Sequence, residues 1–116
     1  MGRPVAFFEV TSPDHRRAQR FYAELFEWQV AEDPDGYALV DTGAGSDAVG
    51  GGIGPSQAPG DTGVKIYVRV DDLDATLARA AELGGTPVLA PTDLPGDFGR
   101  IAVLADPDGN PVGLWA

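Results

Sequence analysis

A strand running straight into a helix occurs twice in this chain, and the second occurrence is the cleaner. From Val64 to Val70, Ile66, Val68 and Val70 alternate with Lys65, Tyr67 and Arg69. Period two of this kind makes a strand with one apolar face and one polar, aromatic face. Asp71-Asp72 then opens a helix whose apolar stripe is Leu73, Leu77, Ala80 and Ala81, with Gly84-Gly85 at its end. That helix is the partner of the apolar strand face. The other face sets a Lys, a Tyr and an Arg side by side, and such groups need water or a ligand.

The first half carries the same order. Val5 to Thr11 reads as a strand with Phe8 and Val10 on one side and Phe7, Glu9 and Thr11 on the other. Ser12-Pro13-Asp14 predicts a helix start, with the Ser12 hydroxyl as cap and Pro13 in the first turn. Ala18, Phe21, Tyr22 and Leu25 form the expected buried stripe, and Arg16, Arg17 and Arg20 the solvated side. Trp28 to Ala31 and Tyr37 to Asp41 predict a hairpin around Asp33-Pro34-Asp35-Gly36. Ala48 to Gly54 predicts an irregular fourth strand, whose glycines mark a bulge or a close approach by another backbone or a ligand.

Pro55 to Gly63 is linker-like, and the order then repeats. Three strands follow the second helix, at Pro87 to Ala90, Arg100 to Ala105 and Pro111 to Ala116, the last two joined by the turn Asp106 to Asn110. The chain therefore reads as β-α-β-β-β written twice, at an offset of roughly 58 residues. Phe7 falls opposite Lys65, and Ala48-Val49-Gly50-Gly51 opposite Pro111-Val112-Gly113-Leu114. This predicts an α+β fold: one domain over 1–116, of two βαβββ modules at about 1–55 and 63–116.

Bulk properties exclude several functions. A net charge of -10 argues against nucleic acid or an anionic membrane as partner. No Cys is present, so disulfides, thiolate metal sites and a cysteine nucleophile are ruled out. The N-terminal residues lack an apolar signal core and no run reaches membrane-spanning length, which makes a cytoplasmic location the expectation. Gly43-Ala44-Gly45-Ser46-Asp47-Ala48 formally fits a dinucleotide fingerprint, but no helix follows it. No nucleophile elbow, Walker lysine or zinc-protease helix occurs, and His15, the single histidine, is placed in the first turn of a helix.

The order of elements resembles the vicinal oxygen chelate superfamily, which includes glyoxalase I, extradiol dioxygenases, fosfomycin-resistance enzymes and bleomycin-binding proteins. The matching pieces include Phe8-Glu9-Val10, Arg20-Phe21-Tyr22, Leu25-Phe26-Glu27-Trp28 and Val49-Gly50-Gly51-Gly52. Val68-Arg69-Val70-Asp71-Asp72-Leu73-Asp74-Ala75, Glu82-Leu83-Gly84-Gly85 and Ala105-Asp106-Pro107-Asp108-Gly109-Asn110 complete the set. Gly113-Leu114-Trp115 is similar to the ending of small glyoxalase-like proteins. The resemblance implies a curved, cup-shaped mixed sheet with helices outside, and a homodimer. Metal-dependent members place one His, Glu or Gln ligand on each of four strands. Those positions fall on Phe7, near Gly50, on Lys65 and on Gly113, none of which offers a usual metal donor. The expectation is thus the fold and the cup, without a divalent metal or other cofactor.

Strand parity points Phe7, Glu9, Thr11, Lys65, Tyr67, Arg69 and Trp115 into the cup, joined by Arg100 and Ala102, while Ile101 and Val103 take the helix side. Lys65, Arg69 and Arg100 suit an anionic group, and Phe7, Tyr67 and Trp115 a planar or apolar body. Glu9 suits a general base, or a plain cross-strand ion pair with Lys65. Trp115 serves equally as ligand platform, core or dimer contact, and the loop Leu94 to Gly99 as a lid or a turn. Three functions remain open: a binding or sequestering protein for a small anionic or aromatic molecule, a metal-free isomerase, lyase or cyclase using Glu9, and an interaction domain.

Overall fold

A computed structural model describes residues 2–56 and 63–116. Most of the linker-like stretch lies outside them. The described residues form eight strands and two helices in the order β1 (Val5–Ser12), α1 (His15–Phe26), β2 (Gln29–Glu32), β3 (Ala38–Asp41), β4 (Gly50–Pro55), β5 (Gly63–Arg69), α2 (Leu73–Glu82), β6 (Thr86–Asp93), β7 (Arg100–Ala105) and β8 (Pro111–Trp115). They divide into two compact units, one over Phe7–Lys65 and one joining the N-terminal arm up to Ala6 to Ile66–Ala116.

In the N-terminal unit the strands run β2-β3-β4-β1, with β1 and β4 parallel and the other pairs antiparallel. Phe8, Val10, Val40 and Ile53 point to α1 and pack with Ala18, Tyr22, Trp28 and Val30. Trp28 stacks on Tyr22 at 5.8 Å with ring planes 8° apart, and touches Phe8 and Phe26. Aromatic faces thus fill the space between helix and sheet.

Two details of α1 depart from the sequence reading. Asp14, not Ser12, caps the helix by accepting from the Arg17 N–H, while the Ser12 hydroxyl accepts from the Asp14 N–H. The buried stripe is also rotated: Phe21 and Leu25 are exposed and Gln19 is buried. Polarity demands this. Gln19 Nε2 donates to the carbonyls of Gly36 at 2.9 Å and Ile53 at 2.8 Å, two buried acceptors that no apolar side chain could satisfy.

In the C-terminal unit the order is β5-β8-β7-β6, with β5 and β8 parallel and the rest antiparallel. Val70, Leu73, Leu77, Ala102 and Leu114 form its core, with Val68, Leu104 and Ala116 against them. Of the α2 stripe, Leu73 and Leu77 are buried and Ala81 is exposed. Asp72 caps the helix through the Ala75 N–H, and Gly84 takes φ +99 just beyond its end. Strand β6 is longer than predicted and breaks register twice. Its prolines Pro87 and Pro91 lack N–H donors, which an outermost strand tolerates.

The turn from β7 to β8 is held by Asp106, whose Oδ1 accepts from the backbone N–H groups of Asp108 and Asn110 at 2.9 Å each. The Asn110 side-chain amide, then these backbone donors, hold the Asp106 carboxyl below its ordinary value of 3.8. A carboxyl depressed in the fold stabilises it fully above the unfolded value, and that contribution disappears as pH falls through the folded one. Asp106→Ala should therefore melt below wild type at neutral pH, with the gap narrowing under acid conditions below 3.8 in a pH series of thermal melts. A gap that does not change with pH would show that the charge contributes nothing.

Candidate functional site

Cross-strand neighbours in register share a face. In the N-terminal unit Phe7 lies against Gly50, Glu9 against Gly52 and Thr11 against Gly54, and Leu39 of β3 also lies against Gly52. Phe7, Glu9 and Thr11 therefore project away from the α1 core, as strand alternation predicts. On that face Lys65 Nζ stands 3.2 Å from Glu9 Oε1. The Tyr37 hydroxyl donates to Glu9 Oε2 at 2.9 Å. The Glu9 and Lys65 side chains are only 15% and 18% exposed, so the pair is largely out of water.

Tyr37 is the residue that sequence reasoning missed, and the glycines were its signal. Gly50, Gly52 and Gly54 remove every side chain from one face of β4. A Cβ at Gly52 or Gly54 would overlap the Tyr37 ring. The close approach that the glycines mark is thus an aromatic ring from the start of the neighbouring strand. Its backbone is fixed as well: the Tyr37 N–H donates to Asp35 Oδ1, and its carbonyl accepts from the Asp33 N–H. His15 packs its ring against Gly36 in the same turn, on the helix side.

The C-terminal unit repeats the device. Tyr67 pairs with Gly113 and is 6% exposed, and a Cβ at Gly113 would overlap its ring. Since Glu9 faces Gly52 and Tyr67 faces Gly113, the internal equivalent of Gly113 is Gly52, two residues on from the glycine chosen by sequence. Arg69 pairs with Trp115, and its guanidinium carbon lies 4.5 Å from the Trp115 ring centroid, a cation–π contact. Trp115 Nε1 also donates to the Phe98 carbonyl at 2.6 Å. That bond ties the Leu94 to Gly99 loop to β8, and the Leu94 N–H closes the loop on the Gly99 carbonyl.

Arg100 is a correction. Ile101 pairs with Trp115 and Val103 with Gly113, so those two share the Tyr67 face. Arg100 and Ala102 take the opposite parity, and Ala102 is in the α2 core. Exposed Arg100 instead bonds Asp93 at 2.8 Å. The physical reason is that Ala102, wholly buried with Leu73, Leu77 and Leu114 and flanked by Leu104, takes the α2 side, which leaves Ile101 and Val103 on the other face. An open apolar groove of about 360 Å³ lies beside α1, lined by Val10, Thr11, Arg17, Phe21, Tyr22 and Val64 among others, and neither Glu9 nor Tyr37 lines it.

Paired βαβββ units with helices against one sheet face match known proteins. A family model described as a glyoxalase-like domain covers residues 7–115. The chain belongs to that family. CFP32 of Mycobacterium tuberculosis, whose name proposes a glyoxylase, is 28% identical over 113 residues, covering 92% of this chain and 43% of its own length. DnrV of Streptomyces peucetius, named as an anthracycline biosynthesis protein, is 29% identical over 126 residues, with 95% and 46% covered. This glyoxalase-like chain thus spans less than half the length of these curated relatives. A solved glyoxalase/bleomycin resistance protein/dioxygenase superfamily member from Vibrio splendidus shares its fold at a TM-score of 0.63, with 20% identity and 97% of each chain covered.

The residues on the strand faces do not fit the divalent ion that such folds often hold. Among the described residues no three His, Asp or Glu side chains gather as a metal site. Phe7 and Gly50, paired across β1 and β4, bring no donor atom, and the Glu9 carboxylate two residues on is engaged by Lys65 and Tyr37. Among the described residues no helix is long and apolar enough to cross a membrane.

Proposed function

We propose that this glyoxalase-like domain binds a small anionic or aromatic organic molecule against the β1–β4 face, without a divalent metal. One observation carries the reading: a largely covered ion pair, Glu9 with Lys65, is set with a phenol on the sheet face that the hydrophobic core does not use. Charges removed from water serve a ligand better than they serve stability. Phe7 beside them offers an apolar wall. DnrV, by its name, belongs to anthracycline biosynthesis, and this supports a small organic ligand.

Glu9 as the base of a metal-free isomerase, lyase or cyclase uses the same cluster. It ranks second, because both carboxylate oxygens already face a donor and a proton could reach Glu9 only after one moves. Titration calorimetry with 2-naphthoate tests the binding reading. Wild type should bind before and after dialysis against EDTA. Lys65→Met should weaken binding about tenfold, the value of one charge-assisted contact, and Glu9→Gln should retain it. Absence of binding at millimolar 2-naphthoate, or binding restored only by added metal, would overturn the proposal.

A further inference from the structure

Resting on that reading, we infer that Tyr37 is a resident stand-in for the ligand, and that the slot it fills takes a planar hydroxyaromatic molecule. The slot has the parts of a phenol site. Its floor is the bare backbone of Gly52 and Gly54, so close beneath the Tyr37 ring that any Cβ there would overlap it. At its end stands Glu9, whose Oε2 accepts the phenolic proton at 2.9 Å, while Lys65 holds Oε1. A glycine floor gives an aromatic ring flat contact, and a paired carboxylate gives a hydroxyl a strong acceptor. Every one of these contacts is made to atoms of a phenol, and an incoming hydroxyarene could make them equally.

Tyr37 is placed to leave. Its backbone is held by Asp33 and Asp35 in the β2–β3 turn, independently of its ring. Rotation about its side-chain bonds would vacate the slot with the strands undisturbed. The tyrosine then acts as an intramolecular competitor. It lowers apparent affinity in proportion to the time it occupies the slot, and it keeps Glu9 and Lys65 covered when no ligand is present. Selection follows from the same contacts: a neutral hydroxyarene donates to Glu9, whereas an arene lacking the hydroxyl leaves the carboxylate one donor short.

The experiment compares 2-naphthol with naphthalene by calorimetry on wild type, Tyr37→Phe and Tyr37→Ala. If the ring fills the slot more than nine-tenths of the time, 2-naphthol should bind Tyr37→Ala at least about tenfold tighter than wild type. Tyr37→Phe keeps the ring and loses the hydroxyl that anchors it to Glu9, so it should fall between, about threefold to tenfold tighter than wild type. Naphthalene should show no preference for hydroxyl-competent Glu9, and Glu9→Ala combined with Tyr37→Phe should lose the gain for 2-naphthol. Equal 2-naphthol affinity in wild type and Tyr37→Phe would overturn the inference, even where Tyr37→Ala fails to fold. If wild type binds 2-naphthoate while that equality holds, the stand-in role falls and the binding function stands. If neither compound binds any variant, both fall.

Discussion

Gln19→Leu is expected to destabilise the protein by about 2–4 kcal/mol, although leucine is apolar and of similar length. Gln19 is 5% exposed and its amide serves two carbonyls, those of Gly36 and Ile53. Each carbonyl left without a donor in a buried setting costs about 1–3 kcal/mol, and the added apolar burial of leucine offsets only about 1–2. Urea denaturation should show the midpoint falling with an unchanged slope, the mark of lost stability without a new unfolded state. The effect should also reach Glu9. Gly36 precedes Tyr37, so releasing the turn loosens the phenol on the Glu9 carboxylate. A change below about 0.5 kcal/mol would mean that water enters and replaces the amide.

The same residue shows where sequence reading stops. Period two in Val64 to Val70 and the capping Asp72 made β5 and α2 legible, because each pattern has one dominant solution. The first helix was legible as a helix, and its stripe was right for Ala18 and Tyr22 but wrong for Phe21 and Leu25. Phe21 and Leu25 outweigh Gln19 on any apolar scale, and nothing local reveals that two distant carbonyls need its amide. The Glu9–Lys65 pair could be foreseen, since strand alternation turns both residues to the face away from the helices. Tyr37 could not be read in the same way: its partner Glu9 lies 28 residues away, and only the glycine alternation in β4 hinted at a ring. Parity along β7 failed because the apolar residues Ile101 and Val103 are expected on the helix side, which Ala102 and Leu104 take instead.

Gly113→Val should destabilise the protein by about 3 kcal/mol, at the upper end of what overpacking costs, because the new side chain lands inside the Tyr67 ring. Tyr67 is 6% exposed, with little room to move without uncovering apolar surface. A control separates this crowding from backbone strain. Gly109 has open space around it but a φ of +88, so Gly109→Ala should cost only about 1 kcal/mol, the penalty of left-handed backbone. If the collision is the cause, removing the ring relieves it: Tyr67→Ala should cost at least about 1 kcal/mol less in the Gly113→Val background than in wild type. Additive effects would refute the contact. The cycle bears on chemistry too, since Gly113 occupies the place where the superfamily resemblance puts a metal ligand. A histidine or glutamate there would meet the same ring, so Gly113→His should likewise cost less in a Tyr67→Ala background than in wild type.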